Sequence, residues 1–423
     1  MRVSGAGNGA RTRDLLLGKQ TLCRLSYPRQ RARQVYPGLC VAVRNALLTR
    51  GNPLKLGLFG SNCSNGRSYT TVKERWDASW DNNLELAQLA DRVGLECLVP
   101  IARWKGYGGQ TNVNGSSFES IAWACGLLAA TQDVNVFCTV HVPLIHPLVA
   151  AKQMATVDHV GKGRLGVNVV CGWNEDEFHM FGVAKHEHDD RYEQGEEWWS
   201  VIRRIWSGEP PFDFDGRYYQ LGSVQGQPLP YGTGRPLMMN AGSSPRGRSF
   251  AIQNSDMHFD GVRSPEASAA RIIETKQQAQ QIGREVQIWT PVGVICRPTQ
   301  READEYIQYL VDNADWGALG HLAEMHANDA RGRTDIEGMY RRRGDDPLER
   351  QVLARGSYCA IGDADHVAAE LLRLQAVGFD GLVLNFLNYL DELPFFAQEV
   401  LPRLEAGGVR KPYRQSSTET VLA

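Results

Sequence analysis

From Leu54 onward the chain alternates short apolar, β-branched runs with longer amphipathic segments, a rhythm that predicts strands alternating with helices. Eight runs have strand character: LKLGLFG, ECLVPIA, VNVFCTV, LGVNVVCG, PLMMNAG, MHFDG, QIWTPVGVIC and GLVLNF. Between them lie helical stretches such as NNLELAQLADRVG, ESIAWACGLLAATQ, LVAAKQMATVDHV, GEEWWSVIRRIW, SPEASAARIIETKQQAQQIG and DADHVAAELLRLQAVG. Eight strands with intervening helices predict a (β/α)8 TIM barrel in preference to an open doubly wound sheet. The barrel is expected over residues 53–408, with a polar insertion at 315–355 before the last strand and a flexible tail at 409–423.

The fourth strand, Leu165–Gly172, carries the sharpest local signal. Leu165, Val167, Val169 and Cys171 share one face, while Gly166, Asn168, Val170 and Gly172 share the other. Both faces are largely apolar, as a parallel strand covered on both sides requires. Asn168 is the exception. A buried carboxamide without partners costs about 1–3 kcal/mol, so Asn168 either bonds neighbouring backbone or marks a place where a polar ligand is expected. After the strand, Glu175, Asp176 and Glu177 crowd a loop, and Asp189 and Asp190 read as N-caps of a helix opening with Arg191-Tyr192. Arginine, tyrosine and free amides at a helix N-terminus form an anion site, and phosphate is the usual occupant.

Composition narrows the class. The 423 residues are 42% hydrophobic and 22% charged, and no apolar run approaches the roughly 18 residues of a membrane span. Nine cysteines without a CxxC pair fit a reducing cytoplasm rather than a disulfide framework. The net charge of −2 conceals a split, because residues 1–50 carry ten Lys/Arg against Asp14 alone. The remainder holds 36 basic and 47 acidic residues and shows no nucleic-acid or membrane patch. The leader GARTRDLLLGKQTLCRLSYPR has neither helical nor strand period, and it resembles peptides made when a reading frame runs upstream through a transfer-RNA gene. Residues 1–52 are therefore expected to be disordered and dispensable, with a start between about Val41 and Leu54.

In a barrel of this kind chemistry collects on the loops after the strands. Cys63 follows the first strand with no base beside it and reads as inert. Ala102, Arg103 and Lys105 follow the second, ahead of Gly108-Gly109. His141 shares a face with Asn135, Phe137 and Thr139, so it faces either the pocket or a structural partner. His186, His188, Asp189 and Asp190 have metal-ligand composition, but neighbours in one loop rarely converge on an ion, and no metal is expected. The turn Asn240-Ala241-Gly242-Ser243-Ser244-Pro245 offers amides and hydroxyls to a phosphate.

The runs GRLGVNVVCGWNEDEF and HDDRYEQGEEWWSVIRRIW resemble the bacterial luciferase-like family of flavin-dependent monooxygenases, over about Pro53 to Leu404. They are most similar to the branch containing dimethyl sulfone monooxygenase and pyrimidine oxygenase, where V-N-x-V-[TS]-G-W, a Glu four residues beyond the Trp, and R-Y recur. The resemblance implies FMN in its reduced form, supplied by a separate NAD(P)H-dependent flavin reductase, with O2 and a small-molecule substrate. It implies flavin contacts from Ala102, Arg103, Asn168 and Glu177, and phosphate contacts from Arg191, Tyr192 and Ser244. Trp104 and Trp173 are candidates for the pocket wall, and Asn168 and His141 for the catalytic centre. Where alkanesulfonate monooxygenase has Arg-x-His and Gly-Tyr, this chain has Pro291 with Gly293 and Asn385-Phe386, so sulfonate cleavage is not expected. A sulfone or related organosulfur substrate is expected instead, with a homo-oligomer (dimer or tetramer) as the assembly. A pyrimidine-type ring oxygenase, a deazaflavin-dependent oxidoreductase and a non-catalytic flavin-binding protein are the alternatives.

Overall fold

The computed structural model describes residues 46–49, 51–232, 234–262, 264–330 and 348–413. Helix α1 (Ala46–Thr49) precedes β1 (Lys55–Phe59), and then α2 (Trp80–Arg92), β2 (Cys97–Val99), α3 (Ser120–Ala129), β3 (Asn135–His141), α4 (Pro147–Val160) and β4 (Leu165–Val170) follow. After β4 come two helices, α5 (Glu175–Met180) and α6 (His188–Trp206), and a hairpin of β5 (Phe212–Asp215) and β6 (Gln220–Val224). The alternation resumes with β7 (Leu237–Asn240), α7 (Pro245–Asn254), β8 (Met257–Phe259), α8 (Pro265–Gln281) and β9 (Gln287–Cys296). Helices α9 (Gln300–Asp312), α10 (Trp316–Ala330) and α11 (Leu348–Ala354) then lead to β10 (Tyr358–Gly362), α12 (Ala364–Ala376), β11 (Gly381–Asn385) and α13 (Tyr389–Glu399).

Strands β1, β2, β3, β4, β7, β8, β9 and β11 pair in parallel and close on themselves through β9–β11 and β11–β1. These eight are the runs that the apolar pattern picks out, and they make the (β/α)8 barrel. The long β9 pairs with β8 through Gln287–Trp289 and then with β10 through Val292–Cys296, so β10 is a ninth strand added outside the ring. Register sets how the interior fills. Phe137 lies opposite Gly166 and Trp289 opposite Gly381, and a Cβ on either glycine would sit 2.4 Å or 2.3 Å from the facing ring. Large side chains therefore occupy the space their neighbours leave, as close packing demands. With Cys97, Val99, Leu237, Met239, Met257 and Val383 they form an apolar interior. The next layer toward the strand C-termini is polar, with Thr139, His141, Asn168 and Asn385 all buried.

Both ends of the barrel domain reach further than the residue pattern indicates. Leu47 of α1 is fully buried in the same cluster as Cys97 and Trp289, although it lies in the basic leader. At the other end Arg410 pairs with buried Glu96 at 2.8 Å, and the Tyr413 hydroxyl donates to Asp133 at 2.7 Å, so residues 409–413 are held. The expected insertion is helical in α10 and α11, and its residues 331–347 lie outside the described residues, as do 1–45 and 414–423. Its first residue, Asp315, is anchored by the amides of Gln110, Thr111 and Ala318. No helix among the described residues is long and apolar enough to cross a membrane.

Shortening the chain to Val41 keeps Leu47 in place, whereas shortening it to Asn52 opens that site. Burial of one leucine contributes about 1.5–3 kcal/mol, so the shorter form is expected to unfold at lower urea by about that free energy. Coincident urea curves for the two forms would show that the leucine contributes nothing.

Candidate active site

Glu177 is the hub of the strand C-termini. It lies on α5, which Asn174 caps by accepting from the Asp176 amide, so the acidic run read as a loop is in fact a short helix. Acidic residues in a first turn favour this, because the exposed amides there carry partial positive charge. Glu177 Oε1 accepts from Arg103 Nη1 at 3.1 Å and from the Trp104 amide at 2.9 Å, with Arg103 and Glu177 both buried. Its Oε2 stands 3.6 Å from His141 Nδ1. Burial pulls the His141 pKa down to about 4 against the pull of Glu177, so the imidazole is neutral near pH 7 and that contact is no ion pair. Arg103 also lies 4.8 Å from the centre of the Tyr107 ring and 5.2 Å from that of Trp173.

One layer deeper, the Asn168 amide donates to Thr139 Oγ1 at 3.3 Å, while Thr139 donates to the Pro100 carbonyl at 2.7 Å. The Asn168 carbonyl oxygen Oδ1 is buried without a hydrogen-bond partner. Arg103 Nε is in the same state. Buried polar atoms in native folds are nearly always satisfied, so orphans at one strand end point to an absent polar group.

The second half of the site is the turn from β7 into α7. Ser244 caps α7 by accepting from the Gly247 amide at 3.0 Å. Asn240 shapes the turn by accepting from the Gly242 amide at 2.9 Å and donating to the Val169 carbonyl at 2.7 Å, and His258 Nε2 donates to the Gly242 carbonyl at 3.1 Å. Tyr192 of α6 reaches over this turn, since a Cβ on Gly247 would lie 2.5 Å from its hydroxyl. Arg191, also buried, donates to the Gly172 carbonyl at the end of β4. Helix α6 begins at His188 behind Glu187, so Asp189 and Asp190 occupy its first turn and are not its caps. Helix extension wins there because first-turn carboxylates are themselves stabilising.

The structure thus brings Arg103, His141 and Glu177 together, places Asn168 beneath them, and sets Tyr192 against the Ser244 turn. Ala102 is half-buried beside Arg103, where the Asn62 side chain clamps Ile101 through both its amide and its carbonyl. Trp104 contributes its amide, but its ring is 47% exposed and packs on Phe181. Cys63 is buried, its thiol pushed up to about 12 by desolvation, which leaves it inert as a nucleophile. Among the described residues no three His, Cys, Asp or Glu side chains could hold a metal ion, and His188 bonds Asp189 alone at 2.8 Å. Residue patterns missed Asn62 and His258, which shape backbone from a distance, and Arg67 and Tyr69, which meet their partners only in the fold; Asn240 was named only as part of its turn.

Because the folded His141 pKa lies below its unfolded value near 6.5, the unfolded chain binds the extra proton first between pH 6.5 and about 4. Stability is unaffected by this group above pH 6.5 and falls as pH drops through that window, by on the order of 3 kcal/mol in full. His141→Gln is expected to flatten this part of the stability profile, measured by urea unfolding at stepped pH. An unchanged acid slope in the variant would contradict the neutral assignment.

Comparison with known proteins gives this geometry a context. The family model for luciferase-like monooxygenase matches residues 54–381. An FMNH(2)-dependent dimethylsulfone monooxygenase of Pseudomonas fluorescens (strain Pf0-1) is 32% identical over 352 residues, covering 82% of this chain and 94% of that protein. Pyrimidine monooxygenase RutA of Escherichia coli O8 (strain IAI1) is 27% identical over 359 residues, covering 83% and 92%. Among solved structures, DmoA from Hyphomicrobium sulfonivorans superposes with a TM-score of 0.75 at 19% identity, covering 86% of this chain and 91% of that one, and it supports the fold. The chain belongs to the luciferase-like monooxygenase family.

Proposed function

We propose that this protein is the oxygenating half of a two-component monooxygenase. It takes reduced FMN from a separate NAD(P)H-dependent reductase and uses O2 to oxygenate a small organic substrate such as a sulfone or related organosulfur compound. The observation that carries the reading is the orphaned Asn168 carbonyl oxygen, buried beside Thr139 one layer below His141, which itself lies against Glu177. Reduced FMN, when bound, supplies the electrons that activate O2. The residues present fit that cofactor. Asn168 offers a carboxamide able to donate and accept at the polar edge of a flavin ring, and Arg103 offers Nε. The α7 turn offers a cradle for phosphate, with Gly242 and Gly247 so close that a Cβ on Gly242 would lie 2.7 Å from Gly247 Cα. Tyr192, Ser244 and Arg191 border it, and neutral His141 offers a hydrogen-bonding nitrogen without adding positive charge. The 32% identical relative is named for a reduced-FMN reaction on a sulfone, which supports both the cofactor and the substrate class.

Arg191→Ala is expected to weaken reduced-FMN binding about ten- to a hundredfold, the loss of one charge-assisted contact. Anaerobic titration that returns the parent affinity would remove Arg191 from the phosphate site.

Asn168→Leu preserves volume and removes both hydrogen-bonding functions. The variant is expected to fold and to consume O2 with reduced FMN, while product per O2 falls at least tenfold and hydrogen peroxide rises to match. The same product-to-peroxide ratio in variant and parent would make Asn168 a structural residue.

A further inference from the structure

Next to the Arg103–Glu177 pair, and joined to it through Tyr107, the loops after β1 and β2 bring together a second polar group. The Arg67 guanidinium lies 4.6 Å from the centre of the Phe59 ring, at the top of β1. Its Nη2 donates to the Ala354 carbonyl at 2.9 Å and to Ser357 Oγ at 2.8 Å, both neutral acceptors. Its Nε is buried with no partner, and no carboxylate among the described residues pairs with it. Desolvation pushes its pKa down to about 10, with Arg355 adding to the effect. Tyr69 and Tyr107 stand beside it with ring centres 5.9 Å apart, and each buries a hydroxyl that has no partner. Arg355 adds its guanidinium 5.0 Å from the Tyr107 ring centre, from a backbone held at φ 53°.

Charge separates this group from the flavin side. Arg103 is balanced by Glu177 at 3.1 Å, whereas Arg67 bonds only neutral acceptors and has a second cation, Arg355, beside it. A buried cation without a counter-charge is costly, and a planar guanidinium flanked by phenol hydroxyls is a receptor for a carboxylate or a sulfur oxyanion. A neutral sulfone accepts hydrogen bonds but leaves the charge uncompensated.

We infer that Arg67, with the hydroxyls of Tyr69 and Tyr107, holds the anionic head of a small organic oxyanion whose carbon chain extends toward Asn168. This rests on the oxygenase reading and moves its substrate class from a neutral sulfone to an organic oxyanion, but binding of the anion itself requires no turnover. The test is calorimetric titration of the full chain, without flavin, using propionate and methanesulfinate as oxyanions and dimethyl sulfone as their neutral counterpart. Either oxyanion is expected to bind at least about tenfold tighter than the sulfone, and the better of the two identifies a carboxylate or a sulfur head. Arg67→Leu is expected to remove that preference while leaving FMN affinity unchanged. If Arg67→Leu does not fold, the Tyr69→Phe and Tyr107→Phe double variant decides, with an expected loss of about fivefold or more in oxyanion affinity. Equal binding of sulfone and oxyanions, no binding of any probe, an unchanged preference in the variant that folds, or loss of FMN affinity in Arg67→Leu would each overturn the assignment. Failure of the oxygenase reading would appear only as absent O2-dependent product, a separate observation.

Discussion

One carboxylate ties the working end of this barrel together. Glu177 accepts from the Arg103 side chain and the Trp104 amide, and it lies against His141, so it joins the loop after β2, the end of β3 and the helix after β4. Removing either partner of a buried pair of this kind costs about 3–5 kcal/mol, because the other charge is left without compensation. The pair therefore fixes the spacing of three strand ends. Neutral His141 is a consequence of the same burial, and the low layer of Thr139 and Asn168 is oriented beneath it.

The barrel divides along its axis. Aromatic and aliphatic side chains fill the lower interior against Gly166 and Gly381, and that rigid packing gives the polar layer above a fixed floor. On one side of the mouth, the β7–α7 turn is shaped by Asn240 and His258 and covered by Tyr192, a geometry suited to phosphate. On the other, Arg67 and its tyrosines sit over Phe59.

Much of this was legible in the sequence, for reasons that also explain the gaps. Parallel strands buried on both faces give continuous apolar runs, so all eight barrel strands could be read. The hairpin strand Phe212–Asp215 alternates buried and exposed residues over only four positions, and Tyr358–Gly362 is short and follows polar sequence, so neither stood out. Asn168 was visible because a carboxamide breaks an apolar run, and Glu177 because it completes a recurring pattern. Arg67 and Tyr69 gave no signal, since their meeting with Tyr107 depends on two loops folding over one another. Leu47 was hidden by the basic residues around it, although its burial depends only on its own side chain.

The reaction proposed for this site uses reduced FMN to drive O2 into an organic product. The direct measurement is mass spectrometry of products formed under 18O2 with reduced FMN supplied, across sulfones, small organosulfur anions and pyrimidines. One 18O atom is expected in the product of an accepted organosulfur compound and none when reduced FMN is withheld. O2 uptake recovered wholly as hydrogen peroxide, with no labelled product from any compound, would contradict it.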